Sequence, residues 1–385
     1  MIMLVQAYRS KFIFLCAAWF FISAFYYLNN FYSGNLVVSN EDGLLHRLLK
    51  YFVVLCICVY FVLVNRIVGS LLFYISLFLL VVFFLILGSL NYSVEVQLAL
   101  LLIVISFSGL TLVSYSMSDR ELNYILDAVV FSSIFVSFIS FYEYFYMWPV
   151  LGDYWQATGG YRSVSTMLNP NNLGVYLGAS LLLILIRDRF TFLFRLVSFL
   201  IIVTAILMSG SRTAIISLAL PVFLGLLFFE GFKVRVGFLV FSIGLFLFSL
   251  VVFNFSELSL EGRLANMQTA YIRLNKYFDF IYMLDFSYLY PDFDSVRAYY
   301  VSESSYFYVV NTLGLFCVSY LFFLYIVFYK ISFASFCVSG PKRALVFVLF
   351  YYLISFLFEN MFASFPNNQF FFFALGALLA PRRVY

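Results

Sequence analysis

The amino-acid sequence predicts an all-α, polytopic transmembrane protein with about 12 helical spans. Three observations lead to this fold class. First, 65% of the 385 residues are hydrophobic and only 10% are charged, whereas soluble domains are about half apolar and about a quarter charged. Second, the mean hydropathy is +1.03. Third, apolar stretches of about 20 residues, the length that crosses a hydrocarbon core, recur along the whole chain.

Hydropathy places the spans, and the expected organisation is one integral membrane domain over residues 1–385 with no separate soluble domain. The predicted spans lie near residues 11–28, 44–64, 67–88, 94–115, 124–147, 169–186, 190–208, 212–229, 235–254, 303–329, 344–360 and 367–380.

The distribution of positive charge predicts the orientation of the spans. With both termini in the cytoplasm, most of the 22 lysine and arginine residues fall on the cytoplasmic side, as the positive-inside rule expects. The sequence RDRFTFLFR (187–195) and the tail sequence PRR (381–383) carry most of this asymmetry. Two segments on the opposite side, 148–168 and 255–302, are too long to be simple turns. The larger one has apolar residues at helical spacing, which predicts short helices lying on the membrane surface.

The sequence GGYRSVSTMLNPNNLG (159–174) is unusually polar for this chain. Asn169 is typical of a helix N-cap and Pro170 of the first helical position, so a helix is predicted to begin here on the extracytoplasmic side. The free N–H donors of this helix start, to which Asn171 belongs, favour an anion. An anion site is therefore predicted between this helix start and Arg162.

Two later spans begin in a similar way. MSGSRTAIISL places Ser211 directly before a helix and Arg212 in its first turn. The positive end of a helix dipole repels a cation, and a bound phosphate would offset that repulsion. FPNNQ (365–369) marks another helix start on the same face. Arg162 and Arg212 together predict a pyrophosphate clamp.

Alternative interpretations stay open for the arginines. Arg162 could instead form a salt bridge with Asp153 or lie among lipid headgroups. Arg263 and Arg297, both in the larger loop, are further candidates for phosphate contacts. Arginines of this kind more often anchor a surface helix to lipid headgroups.

A candidate base opens the tenth span. The sequence VSESSYFYVVNTLGLF puts Glu303 at an extracytoplasmic helix start. There it could accept a proton from a sugar hydroxyl, or it could simply complement the helix dipole. Tyr306, one turn later, is a candidate for contact with an acceptor substrate.

Four pieces occur in a fixed order between residues 160 and 330: NPNNLG, SGSRTAIISL, EGRLANMQTAYIRL and ESSYFYVVNTLGLF. With this ordered set and the long loop, the sequence resembles the family of O-antigen polymerases (Wzy) and O-antigen ligases (WaaL). These are GT-C-like membrane glycosyltransferases that use undecaprenyl-pyrophosphate-linked sugars. The first half of the chain matches only as a run of spans.

The resemblance implies that Arg212 and Arg263 contact the donor's pyrophosphate and that no metal or other cofactor is required. Ligases of the family carry a histidine at the start of the helix after the large loop. Here that position reads Glu303-Ser304-Ser305-Tyr306, which favours the polymerase.

The prediction is a repeat-unit polysaccharide polymerase of a bacterial inner membrane, acting at the periplasmic face on undecaprenyl-pyrophosphate-linked oligosaccharide. Glu303 would activate the acceptor, and the arginines would stabilise the departing pyrophosphate. Membrane lipids are expected partners, a polysaccharide chain-length regulator is a candidate, and no nucleic-acid signature is present. The alternatives are an O-antigen ligase acting on lipid A core and, from another class, a lipid-linked oligosaccharide flippase or transporter.

Overall fold

The computed structural model describes residues 2–25, 53–54, 56–57, 109–146, 162–167, 169–228, 244, 274–282, 304–307, 340–361 and 364–379. Within these residues the chain is helical and contains no strand, as the sequence predicts. The long helices are α1 (Ile2–Ser23), α2 (Asp119–Tyr146), α3 (Pro170–Ile186), α4 (Phe192–Ser209), α5 (Arg212–Phe228), α6 (Pro341–Phe358) and α7 (Asn367–Leu379). A 3-10 helix, Ser165–Met167, precedes α3, and residues 109–115, 274–282 and 305–307 are also helical.

Three of the described helices, α2, α4 and α6, are long and apolar enough to cross a membrane, and α3 and α5 are shorter apolar helices. Their boundaries agree with the predicted spans to within a few residues. The helix at 274–282 lies in the larger predicted loop. Several predicted spans lie wholly or largely outside the described part of the chain: 44–64, 67–88, 94–115, 235–254 and 303–329.

The start of α2 shows why a helix can extend beyond its apolar stretch. The helix begins at Asp119, earlier than the predicted span start at residue 124. The N–H of Ser118 donates to Glu121 Oε2 at 2.7 Å, and the N–H of Glu121 lies 3.5 Å from Ser118 Oγ. This reciprocal pair is a capping box, which stabilises a polar helix start that hydropathy does not report.

Helix α3 is the centre of the bundle. It packs against α2, α4, α5, α6 and α7, and nearly all of its residues are buried. Gly174 and Gly178 allow this close approach. A Cβ at Gly174 would lie 2.4 Å from the Cβ of Ser211, and one at Gly178 would lie 2.3 Å from the hydroxyl of Tyr351. This small-xxx-small spacing is a common way for membrane helices to pack closely.

The outer surface of the bundle is strongly apolar. Helices α2 and α4 expose large hydrophobic side chains, which is the arrangement expected where helices face lipid. These exposed side chains include Phe131, Phe135, Phe138, Phe145, Phe192, Leu193, Leu196 and Leu200.

One end of the bundle, which we call the Arg187 end, carries ion pairs. Asp127 of α2 accepts from Arg187 Nη2 at 2.7 Å and from Arg189 Nε at 2.9 Å, just after α3 ends. Arg9 of α1 donates from Nη2 to Glu121 of α2 at 2.9 Å. The start of α2 and the end of α3 therefore lie together at this end.

The opposite end, which we call the Asn171 end, gathers the other helix termini. Thr166 Oγ1 donates to the carbonyl of Ala24, just after α1, at 2.6 Å. Helices α1, α2, α4 and α6 finish at this end, and α3, α5 and α7 begin there. From α2 onward, the described helices thus alternate in direction.

Candidate functional site

Arg162 connects an extended segment to the end of α4. Its Nε donates to the carbonyl of Ser209 at 2.8 Å, and its Nη2 donates to the carbonyl of Gly210 at 3.1 Å and to Asn171 Oδ1 at 2.8 Å. The last carbonyls of a helix lack intrahelical partners, and that end favours a cation. Arg162 therefore caps the carboxyl end of α4 and holds that end beside the start of α3.

Glycine is required at position 210, the C-cap of α4. Its φ is 57°, in the left-handed region, which glycine adopts without a steric cost. A Cβ there would also lie 3.2 Å from Arg162 Nε. The sequence MSGSR thus ends one helix and starts the next within a single tight turn.

The start of α3 has the predicted cap. Asn169 Oδ1 accepts from the backbone N–H of Asn171 at 2.7 Å, and Pro170 occupies the first helical position. The side chain of Asn171 contacts two charged residues, because its Oδ1 accepts from Arg162 and its Nδ2 donates to Glu359 Oε1. The start of α3 is therefore a bridge between an arginine and a carboxylate.

The start of α5 lies against α3. Buried Ser211 accepts from the N–H of Ala214 at 3.3 Å, as an N-cap does, and Arg212 is exposed as the first residue of the helix. The absence of a side chain at Gly174 lets this turn approach α3. Two helix starts, each with an arginine beside it, thus lie next to each other at the Asn171 end.

Two further elements complete this end. Asn367 at the start of α7 donates from Nδ2 to the carbonyl of Asn172 at 3.1 Å. Ser305 Oγ donates to the carbonyl of Glu359 at 2.9 Å. The hydroxyl of Tyr306 donates to the carbonyl of Leu353 in α6 at 2.9 Å, so Tyr306 contributes to helix packing here.

The structure brings together most of the described candidates. Arg162, Asn171 and Ser211 are connected through α3 and the turn after α4, and Asn169 caps the same helix. Arg212 follows Ser211 directly. Glu303, Arg263 and Arg297 lie outside the described residues. The geometry leaves the pyrophosphate contacts and the acceptor contact of Tyr306 as predictions.

Glu143 is a residue at this end that the sequence analysis missed. It lies in the last turns of α2 and is fully buried. Its carboxylate accepts from Ser163 Oγ at 2.7 Å and from the backbone N–H groups of Val164 at 2.9 Å and Ser165 at 2.6 Å. Glu143 therefore fixes the segment that carries Arg162. The sequence did contain a signal for Glu143, because an ionisable residue inside an apolar span indicates a functional role by default.

Glu359 was also missed. It caps the carboxyl end of α6, and its backbone N–H donates to the carbonyl of Ser355 at 3.0 Å. The side chain is half-buried. Nothing in its neighbourhood along the chain indicates a contact with Asn171, because the two residues lie far apart in sequence.

The described fold is that of a helical membrane protein whose described charged side chains lie towards the two ends of an apolar bundle. Among groups of His, Cys, Asp and Glu in the described part, none has the arrangement of a metal site. The chain matches no family model, and the comparisons with curated proteins and with solved structures found no match.

Proposed function

We propose that the protein is a polymerase of repeat-unit polysaccharide, of the O-antigen polymerase type. It would transfer a glycan from undecaprenyl pyrophosphate to a second lipid-linked repeat unit. A multi-pass arrangement of about 12 spans in a bacterial inner membrane belongs to this proposal, as does the periplasmic location of the Asn171 end and of the loops 148–168 and 255–302.

One observation supports the proposal above the others. The starts of α3, α5 and α7 meet at one end of a bundle whose described outer surface is apolar. Helix starts present N–H donors and positive dipole ends, and Arg162 and Arg212 lie at the same end. Helix starts and two arginines beside a lipid-facing surface suit a substrate with a diphosphate group and a long hydrocarbon chain.

The two arginines would contribute differently. The described hydrogen bonds of Arg162 go to the end of α4 and to Asn171, so its role would be to position these elements and to add positive charge. Arg212 is exposed at a helix start, so it is the better placed to contact a diphosphate. Arg263 and Arg297 would add to this contact from the larger loop, with Glu303 near the acceptor.

In vitro elongation is the direct test. Purified protein in nanodiscs is given lipid-linked repeat units extracted from cells that lack the gene, with and without lipid A core. The polymerase yields a ladder of longer lipid-linked chains in both samples. Elongation absent in both samples would contradict the proposal. A product that requires lipid A core would identify a ligase, and movement of unextended substrate across the bilayer would identify a flippase.

A further inference from the structure

Two carboxylates at the Asn171 end have contrasting environments. Glu143 is 0% exposed, and its oxygens accept from three donors of the segment after α2. No substrate hydroxyl can reach it. Glu359 is half-buried, and one of its oxygens accepts from Asn171. Glu359 is therefore held in a defined position and remains partly exposed.

The position of Glu359 is unfavourable for a residue with only a structural role. It lies at the carboxyl end of α6, where the helix dipole disfavours an anion. An uncharged C-cap would avoid this opposition. The arrangement instead places the carboxylate against Asn171 at the start of α3, where the dipole has the opposite sign.

The surrounding elements fix Glu359 from several directions. Its N–H donates to the carbonyl of Ser355 at 3.0 Å, and its carbonyl accepts from the N–H of Met361 at 2.9 Å. Ser305 Oγ donates to the same carbonyl at 2.9 Å. Through Asn171, the carboxylate is one side chain away from Arg162. A partly exposed carboxylate held in place by an amide donor suits a general base, which must be oriented towards the proton that it accepts.

We propose that Glu359 is the general base of the transfer reaction, in the place that the sequence analysis gave to Glu303. This inference rests on the proposed function. The acceptor hydroxyl oxygen bonds to the anomeric carbon of the donor sugar as its proton passes to Glu359. The bond between that carbon and the diphosphate oxygen breaks, and its electron pair leaves with the lipid diphosphate. Glu359 then releases the proton to solvent.

The test compares carboxylate-to-amide changes. Glu359→Gln keeps an oxygen that accepts from Asn171, so the contact that holds the residue is retained. Asp279→Asn is the matched control, because Asp279 is an exposed carboxylate on the helix at 274–282. That helix lies at the same end, where the hydroxyl of Tyr277 donates to the carbonyl of Leu357 at 2.7 Å. Glu303→Gln is measured alongside.

Three quantities are measured for each purified variant: elongation rate against pH, melting temperature, and affinity for farnesyl diphosphate. The Glu359→Gln change is expected to lower the elongation rate by about 100-fold or more, the usual contribution of a general base. Its melting temperature and diphosphate affinity should stay near the wild-type values. Its residual rate should no longer rise with pH as the wild-type rate does. Glu359→Asp should restore part of the rate, and Asp279→Asn should be indistinguishable from wild type.

Two outcomes would overturn the assignment while leaving the polymerase intact. One is a Glu359→Gln variant that elongates at the wild-type rate while Glu303→Gln does not. The other is a parallel loss of diphosphate affinity and rate, which would make Glu359 a residue of the donor site. A wild-type protein that elongates nothing would instead remove the proposed function and this inference with it.

Discussion

The buried carboxylate of Glu143 provides the sharpest test of the described packing. In Glu143→Gln, one of the two carboxylate oxygens becomes an NH₂ group. The native oxygens face three donors, from Ser163, Val164 and Ser165. All three donors reach Oε2, so an amide oxygen in that place accepts from them without the charge of a carboxylate, and the NH₂ group in place of Oε1 faces the N–H of Val164, which lies 3.1 Å from that oxygen.

The expected loss of stability follows from the number and type of these bonds. Hydrogen bonds between membrane helices average only about 0.6 kcal/mol and reach about 1.7 kcal/mol. Hydrogen bonds to a charged group contribute about 1.5–3 kcal/mol. With three donors on one fully buried carboxylate, we expect Glu143→Gln to cost about 2–4 kcal/mol.

The measurement is the melting temperature in a mild detergent, which should fall by roughly 2–5 °C. Ser163→Ala is the matched change, because it removes one donor and leaves the carboxylate with two. The double variant should be less destabilised than the sum of the two single variants, since they act on one network. A Glu143→Gln protein that melts at the wild-type temperature would refute the reasoning.

Three further predictions concern packing, charge and the donor site. Gly174→Ala should lower the melting temperature, by an overpacking cost of about 1–3 kcal/mol, because its Cβ would overlap α5. Gly244→Ala is the control and should not lower the melting temperature, because a Cβ there meets nothing within 4 Å. Asp127→Asn should destabilise by up to about 3–5 kcal/mol, because it leaves the buried Arg187 without its counter-charge; a stability equal to wild type would show that the pair contributes nothing. Arg212→Ala should leave the amount of protein in the membrane at its normal level while cells accumulate single-repeat product on a polysaccharide gel, and wild-type chain lengths would exclude a pyrophosphate clamp.

The parts of the fold that sequence could predict are those with local causes. The predicted start of α3 is confirmed, because Asn169 caps the backbone N–H two residues later and Pro170 suits the first helical position. The helical fold class followed from composition and from the length of the apolar stretches. The opposite directions of α3 and α4, and of α4 and α5, follow from the short connections between these apolar segments.

The parts that sequence could not predict depend on which helices become neighbours. Hydropathy assigns similar values to a central helix and to a lipid-facing one, so it did not separate α3 from α4. The contact between Asn171 and Glu359 joins residues from distant spans. Local signals did exist for two other features: the spacing of Gly174 and Gly178 is typical of close helix packing, and Ser118-x-x-Glu121 is a capping box.

Helix α3 is polar at both tips and apolar between them. Its 17 residues span about 26 Å at 1.5 Å per residue, close to the thickness of a hydrocarbon core. Asn171 is joined to Arg162 and Glu359 at one tip, and Arg187 is joined to Asp127 at the other. A shift of α3 along its axis, in either direction, would move one of these polar junctions into the hydrocarbon core and break its contacts. The depth of α3 is therefore fixed from both sides, and any rearrangement that keeps both junctions intact would move the other helices around it.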